Sequence, residues 1–86
     1  MTRSLSFSVY DSKADYYYKP FYARSIAEGA RVFEDAVNDD KTAFHAHPED
    51  FILFHIGEFD DSAGTAISYE KFMNLGVASS FVKDKV

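Results

Sequence analysis

Residues 51–59, FILFHIGEF, constrain the fold more than any other segment of this chain. Six of these nine residues are large and apolar, with no proline and one glycine, which suits a strand better than a helix. Side chains alternate along a strand, which predicts one face of Ile52, Phe54 and Ile56 and an opposite face of Phe51, Leu53, His55 and Phe59. Both faces are therefore apolar, and each needs a covering layer.

Only one segment has the features of a good helix. Ser25 and Glu28 form a capping box, in which the Ser25 hydroxyl accepts from the amide of Glu28 and the Glu28 carboxylate reaches back to the amide of Ser25. An apolar stripe then follows at helical spacing, and it consists of Ile26, Ala30, Phe33 and Val37. Gly29 weakens the helix by about 1 kcal/mol relative to alanine, but it allows close contact with a sheet. The helix is expected to end at residues 38–40, where the aspartates oppose its dipole.

The remaining pattern predicts short strands joined by turns. Leu5, Phe7 and Val9 alternate with serines, which is typical of a half-buried strand. Pro20 places the next apolar segment on an edge or divides it, with residues 15–19 as a loop or edge and residues 21–24 as a strand. Residues 41–50 are expected to form an ordered loop in which Phe44 packs onto the core, and residues 60–64 a hairpin connection. Residues 65–69 are then the return strand, residues 70–74 a helical turn, and residues 75–82 an apolar tail that bends at Gly76.

These elements predict an α+β fold: a small, mostly antiparallel sheet of about four strands with one helix packed on one face. The chain is expected to be a single domain over residues 1–86, with a frayed tail at residues 83–86. The helix covers only one sheet face. Either the apolar tail or a second copy must cover the other, and the small core favours a homo-oligomer, with a dimer as the favoured state.

Composition narrows the function. The absence of cysteine excludes disulfides and thiolate chemistry, and no segment resembles a signal peptide or a membrane span, so a soluble cytoplasmic protein is expected. The net charge of −5 argues against nonspecific phosphate binding. The charge is unevenly distributed along the sequence, however. Residues 1–31 contain five cations and three carboxylates, whereas residues 32–86 contain four lysines and eleven carboxylates. A polyanion could bind the first third only if the acidic remainder lies on another surface.

Two polar clusters are candidate chemical sites. His45 and His47, with His55 and the nearby carboxylates Glu49 and Asp50, resemble a metal cluster, but imidazoles two residues apart on an extended chain point in opposite directions. Glu58, Asp60 and Asp61 lie at a hairpin, where aspartate is expected for turn formation. No phosphate-binding loop, nucleophile elbow or HExxH motif is present. We therefore expect no enzyme activity, no metal and no cofactor.

A third segment mixes aromatic rings with cations, as sites for single-stranded nucleic acids do. Its candidate nucleic-acid-binding residues are Lys13, Tyr16, Tyr17, Tyr18, Lys19, Tyr22 and Arg24. Two other interpretations stay open from composition alone. Alternate rings could belong to the core, or the segment could form an oligomer interface, because Tyr, Phe and Arg are also enriched there.

The chain resembles the small nonstructural protein of gokushovirus-type microviruses, which are single-stranded DNA bacteriophages. The resemblance covers residues 5–82 and rests on Ser8-Val9-Tyr10-Asp11-Ser12-Lys13-Ala14, Pro20-Phe21 with Ala23-Arg24, Phe33-x-Asp35-Ala36-Val37-Asn38-Asp39, His47-Pro48-Glu49-Asp50-Phe51, Gly57-Glu58-Phe59-Asp60-Asp61 and Leu75-Gly76. It implies a DNA-binding protein that acts in genome replication or in the switch to packaging single strands, inside the host cytoplasm. It supplies no binding positions of its own.

The hypothesis from the sequence is a nonenzymatic phage protein that binds single-stranded DNA through residues 16–24. The alternative is an adaptor that engages a phage replication or capsid protein, or a host factor.

Overall fold

The computed structural model describes residues 3–83. Its elements are β1 (Arg3–Asp11), β2 (Tyr16–Tyr17), β3 (Phe21–Ala23), α1 (Ile26–Val37), α2 (Ala43–Ala46), a 3-10 turn (Pro48–Asp50), β4 (Phe51–Asp60), β5 (Thr65–Val77) and a second 3-10 turn (Ala78–Phe81). All strand pairs are antiparallel, and one sheet holds the strands in the order β2-β1-β4-β5, with β3 also on β1. The predicted α+β class is confirmed.

Pro20 explains why the edge beside β1 is built from two short pieces. Because proline has no N–H to donate to the ladder, it interrupts a strand or confines it to an edge. The chain pairs with the end of β1 through Tyr16–Tyr17, leaves it at the proline, and pairs again with the start of β1 through Phe21–Ala23. Both predicted effects of this proline are therefore observed.

Helix α1 begins with the predicted capping interaction. The Glu28 N–H donates to Ser25 Oγ at 3.0 Å, but the Glu28 carboxylate accepts from the backbone N–H of Arg24 at 2.7 Å rather than from that of Ser25. Ala30, Phe33 and Val37 of the apolar stripe pack in the core beside Phe7 and Leu53, whereas Ile26, at the start of the predicted stripe, is 40% exposed. Burial of this stripe stabilises the helix more than its intrinsic propensity does.

Neutral side chains, rather than cations, donate hydrogen bonds to the carbonyl groups at the end of α1. Asn38 caps the helix, and its side-chain amide donates to the carbonyls of Glu34 at 2.8 Å and Phe81 at 3.0 Å. The Thr42 hydroxyl donates to the carbonyl of Ala36 at 2.7 Å. The Glu34 and Ala36 carbonyls also accept the backbone N–H groups of Asn38 and Asp39, so the two side chains add a second donor to each of these carbonyls of the last helical turn.

Residues 41–50 are more ordered than the predicted loop. Thr42 caps the short helix α2, accepting the His45 N–H at 3.2 Å, and a 3-10 turn follows at Pro48. Phe44 packs against the core as expected, with its ring 4.8 Å from that of Phe51 and 5.6 Å from that of Phe33. This segment therefore belongs to the same layer as α1.

A register shift in β4 overturns one predicted side-chain position. Ser6 pairs with Gly57 but Phe7 pairs with His55, so Ile56 is an extra residue in β4. An extra residue reverses the alternation beyond it. Phe51, Leu53 and His55 are buried beneath the helix as predicted, but Phe59 pairs with Ser4 and lies on the opposite face.

Strand β5 is much longer than its predicted five residues. It continues to Val77, so the helical turn predicted for residues 70–74 is wrong. Met73 and Asn74 pair with His55 and Phe54 of the central strand, and this long-range pairing outweighs the helix propensity of the local sequence. Gly76 lies within β5 rather than at the predicted bend, beside a register shift, and its φ of 133° is easily reached only by glycine.

The apolar tail packs on the helix side of the sheet. Ala78 is fully buried, and the ring of Phe81 lies 5.1 Å from that of Phe33. The tail therefore does not cover the second sheet face, although that was one of the two predicted solutions. Of the predicted frayed end, Lys83 donates its backbone N–H to Asn38 Oδ1 at 2.9 Å, and residues 84–86 lie outside the described residues.

We expect Gly29→Ala to destabilise the protein, although alanine normally stabilises a helix. A Cβ atom at this position would lie 2.4 Å from Cζ of Phe7, whose ring is fully buried and cannot move away. Overpacking of this kind outweighs the gain in helix propensity, so the free energy of unfolding should fall by about 1 to 2 kcal/mol. Urea denaturation measures this change. Val32→Ala, at an exposed position of the same helix, is the control and should change stability by less than about 0.5 kcal/mol. Equal stability of Gly29→Ala and the wild type would contradict the close packing.

Candidate functional site

The sheet face opposite α1 carries a set of aromatic side chains, and we call it the open face. Register assigns to it Ser4, Ser6, Ser8 and Tyr10 of β1, Tyr17 of β2, Tyr22 of β3, Ile52, Phe54, Gly57 and Phe59 of β4, and Ala66, Ser68, Asn74 and Val77 of β5. None of these in-register residues is charged. Within residues 3–83, no helix or tail segment packs on this face.

Four aromatic rings meet on the open face, one each from β2, β1, β4 and β5. The ring of Tyr17 lies 4.8 Å from that of Tyr10, 6.0 Å from Phe54 and 5.8 Å from Phe72. Tyr17 and Phe72 belong to opposite edges, which in a flat sheet would be about 14 Å apart. The sheet therefore curls toward this face. Tyr17 remains 46% exposed and Phe72 40% exposed.

A second aromatic pair lies toward the other end of the open face. Tyr22 of β3 and Phe59 of β4 have ring centroids 6.2 Å apart in an edge-to-face arrangement. Phe59 reaches this position only because of the extra residue in β4. Tyr22 is 52% exposed, so its ring presents a free surface beside the pair.

The structure separates much of the negative charge from the open face. Seven of the fourteen carboxylates lie in α1 or in residues 38–50, on the opposite side of the sheet. At the rim, the Tyr10 hydroxyl donates to the Asp15 carboxylate, and this bond raises the pKa of that hydroxyl. The aromatic surface thus carries little charge beyond Glu70, which alternation in β5 places between Ser68 and Phe72, and the other acidic groups lie mainly behind it.

The predicted binding residues do not all share one surface. Tyr17 and Tyr22 lie on the open face, whereas Tyr16 and Tyr18 point to the other side, with rings 5.5 Å apart. Tyr18 packs against Phe44 at 5.3 Å, and partial burial is the main cause that raises the pKa of its hydroxyl.

The predicted cations are more scattered. Lys13 lies in the turn after β1, Lys19 precedes Pro20, and both are exposed. Arg24 is held by Glu28, with 3.4 Å between guanidinium and carboxylate. Lys13 and Lys19 are therefore the predicted cations that form no ion pair within the described residues.

Four open-face rings were missed in the list of predicted binding residues: Tyr10, Phe54, Phe59 and Phe72. Tyr10 and Phe54 could have been found, because alternation from Val9 and Leu53 places them opposite the core. The helical turn predicted for residues 70–74 hides Phe72, and the regular alternation predicted for the central strand puts Phe59 on the wrong face. Only the pairing of β4 with its neighbours reveals those two.

A family comparison identifies the origin of the chain. The family described as Phage ORF5 protein matches residues 5–81, which is most of the sequence. The chain belongs to this phage family. No curated protein matches, and no solved structure matches. Among the described helices of this phage protein, none has the length and apolar character needed to cross a membrane.

The polar clusters considered in the sequence have local roles in this phage protein. His45 Nδ1 lies 3.1 Å from the carbonyl of Val37, and His55 is buried with Nε2 3.1 Å from the carbonyl of Gly57. Asp60 accepts the N–H of Ser62 at 3.0 Å in the hairpin, as expected of turn chemistry. Residues 3–83 contain no group of three His, Asp or Glu side chains placed to hold a metal ion.

Glu58 is the centre of a small polar network at the end of the sheet where β1 begins and β4 turns into β5. Its carboxylate accepts from Arg3 Nη1 at 2.6 Å and from the Tyr69 hydroxyl at 3.1 Å. These two donors favour the ionised form and lower the pKa of Glu58 below its usual 4.5. Burial and the bond to Glu58 raise the pKa of the Tyr69 hydroxyl.

We expect Glu58→Gln to reveal this network through the pH dependence of stability. A carboxyl group whose pKa is lowered in the folded state stabilises the fold at pH values above its unfolded pKa. The wild type should therefore unfold at a higher urea concentration than Glu58→Gln at pH 7. The difference should shrink as the pH falls below about 4.5 and the carboxylate is protonated. Glu70→Gln, at an exposed site outside the ion pairs of the described residues, is the control. A Glu58→Gln difference that stays constant from pH 7 to pH 3 would refute the assignment.

Proposed function

We propose that this phage protein is a nonenzymatic single-stranded DNA-binding protein and that the open face contacts the bases. The proposal places it in genome replication or in the switch to packaging, in the cytoplasm of a host infected by a gokushovirus-type microvirus. The resemblance described above supports the viral setting. The observation that carries the binding mode is the array of six rings from Tyr10, Tyr17, Tyr22, Phe54, Phe59 and Phe72 on one largely neutral surface.

Base stacking is the interaction that this surface suits. Each base stacked on an aromatic ring contributes about 1 to 3 kcal/mol, and the ring does not need a charged neighbour for this. Tyr17 and Tyr22 are the two most exposed rings of the open face. They belong to separate aromatic clusters, so an extended DNA strand could contact both. Bases of a double helix are already stacked and paired, which favours a single strand as the ligand.

The position of the charges limits the electrostatic cost of this mode. Phosphates of a strand lying on the open face would be separated by the sheet from the carboxylates of α1. Lys13 precedes β2 and Lys19 follows it, and both exposed side chains are available to contact phosphates. With few cations involved, the affinity should fall only modestly as salt increases.

A second candidate function is the adaptor role, and a different surface supports it. An apolar groove of about 270 Å³ lies between α1 and the β3 edge, and its lining includes Val9, Phe21, Val32, Phe33 and Phe44. Val32 is an exposed apolar residue at its rim. A phage replication protein, a capsid protein or a host factor could insert an apolar side chain there. If the protein is an adaptor only, it should bind no oligonucleotide, even at low salt.

The central test replaces the two exposed open-face tyrosines. We expect the double variant Tyr17→Ser, Tyr22→Ser to bind a labelled single-stranded oligonucleotide at least about tenfold more weakly, because two stacking contacts are lost. Fluorescence anisotropy at low salt gives the affinity, and circular dichroism reports whether the fold is retained.

Tyr16→Ser is the matched control for this test. Tyr16 is 52% exposed, as Tyr22 is, but it lies on the other side of the sheet. Its replacement should leave the affinity unchanged. If the double variant binds as tightly as the wild type, or if the wild type binds no oligonucleotide, the proposed function is refuted.

The homodimer predicted from the sequence can be tested with the same material. A second copy placed on the open face would bury the rings that stack on bases. Light scattering should then give about twice the chain mass of 9.7 kDa, and saturating oligonucleotide should change this to one chain per complex. A single-chain mass at all protein concentrations would refute the dimer and leave DNA binding untouched.

A further inference from the structure

A small hollow lies on the open face beside Tyr22. Its volume is about 200 Å³, and its walls include Ser6, Pro20, Tyr22, Ile56, Ala66 and Ser68. It thus combines one exposed aromatic ring, apolar side chains and two hydroxyl groups.

Register explains why the hollow exists. Gly57 of the central strand pairs with Ser6 on one side and with Ser68 on the other. The three residues therefore lie side by side across three strands, and the middle one has no side chain. A Cβ atom on Gly57 would lie only 2.0 Å from the Ile67 carbonyl oxygen and 3.2 Å from Ser6 Oγ. The glycine therefore allows the β5 backbone to approach, the Ile67 carbonyl takes the place of a side chain between the two serines, and the hollow lies beside this carbonyl.

We propose that this hollow is a pocket for one nucleobase of the bound single strand. In this arrangement the base stacks on Tyr22 and turns its polar edge toward the hydroxyls of Ser6 and Ser68. The inference rests on the proposed function and adds to it a position at which the protein contacts the edge of a base, whereas stacking alone contacts only its face.

The size of the hollow suits a single ring system. It exceeds the roughly 30 Å³ that one water occupies in the liquid, and it is smaller than the roughly 300 to 1,000 Å³ of sites for larger ligands. A base fits these limits, and its sugar and phosphate would stay outside. The edge-to-face contact with Phe59 holds the Tyr22 ring against the wall of the pocket.

The polar groups of the pocket favour a neutral ligand. The Ser6 hydroxyl has no hydrogen-bond partner among residues 3–83, whereas the neighbouring Ser8 hydroxyl donates to the Tyr18 carbonyl at 2.7 Å. A hydroxyl can donate or accept, so it can match either kind of group on a base edge. Glu58 also borders the pocket, but its carboxylate is already paired with Arg3. No cation lines the pocket to attract a phosphate.

Thymidine, which carries no phosphate, is the probe for the pocket. We expect it to shift the backbone NMR signals of Tyr22 and Ser68 in the wild type. Ala66→Phe, which fills the hollow from an exposed position on β5, should abolish these shifts and weaken oligo(dT) binding severalfold. Ser79→Ala, on the exposed turn after β5, is the control and should behave as the wild type. Circular dichroism shows whether the filled variant keeps its fold.

A second variant tests recognition without filling the space. Ser6→Ala combined with Ser68→Ala should reduce the differences in affinity among oligo(dT), oligo(dC) and oligo(dA), while stacking on Tyr22 persists. If oligonucleotides bind but thymidine shifts neither signal, or if Ala66→Phe binds oligo(dT) as tightly as the wild type, the pocket is refuted and the proposed function stands. If thymidine shifts both signals but no oligonucleotide binds, the pocket stands and the proposed function is refuted. If neither ligand binds, both are refuted.

Discussion

The extra residue in β4 at Ile56 decides what each face of the sheet presents. Before it, Phe51, Leu53 and His55 point to the helix and close the core. After it, the alternation is reversed, so Phe59 joins Tyr22 on the open face and Gly57 comes to lie between two serines. A regular strand would have placed Phe59 beneath the helix layer, and the open face would lack this ring. The second aromatic pair and the position of Gly57 between the two serines therefore depend on this change of register in the central strand.

Much of the fold follows from local sequence, and the remainder depends on contacts between distant segments. The capping interaction at Ser25 and the interruption at Pro20 were predicted, because each is determined by neighbouring residues. Gly29 also had its predicted role of close approach to the sheet. The half-buried pattern predicted for β1 is not observed, since Ser6 and Ser8 are buried as Phe7 and Val9 are. The extension of β5 was not predicted, since residues 70–74 contain Glu, Lys and Met, which favour helix locally. Only pairing with β4 keeps them extended.

The candidate site illustrates the same limit. The sequence indicated a tyrosine-rich segment, and the structure divides it, because consecutive residues of a strand point to opposite faces. Tyr17 and Tyr22 lie on the open face, but Tyr18 contributes to the core side. The rings that complete the surface come from β1, β4 and β5. A site assembled from five strands cannot be read from one segment, although its aromatic composition was visible there.

The bonds of Asn38 have a practical consequence for experiments on the intact protein. Its side chain joins the end of α1 to the carbonyl of Phe81 and the N–H of Lys83, so the chain leaves the described region on the helix side. A fluorophore or surface attachment made at Lys83 therefore starts from the side that faces away from Tyr17 and Tyr22. Molecules immobilised in this way should therefore present their aromatic surface to the solution rather than to the support.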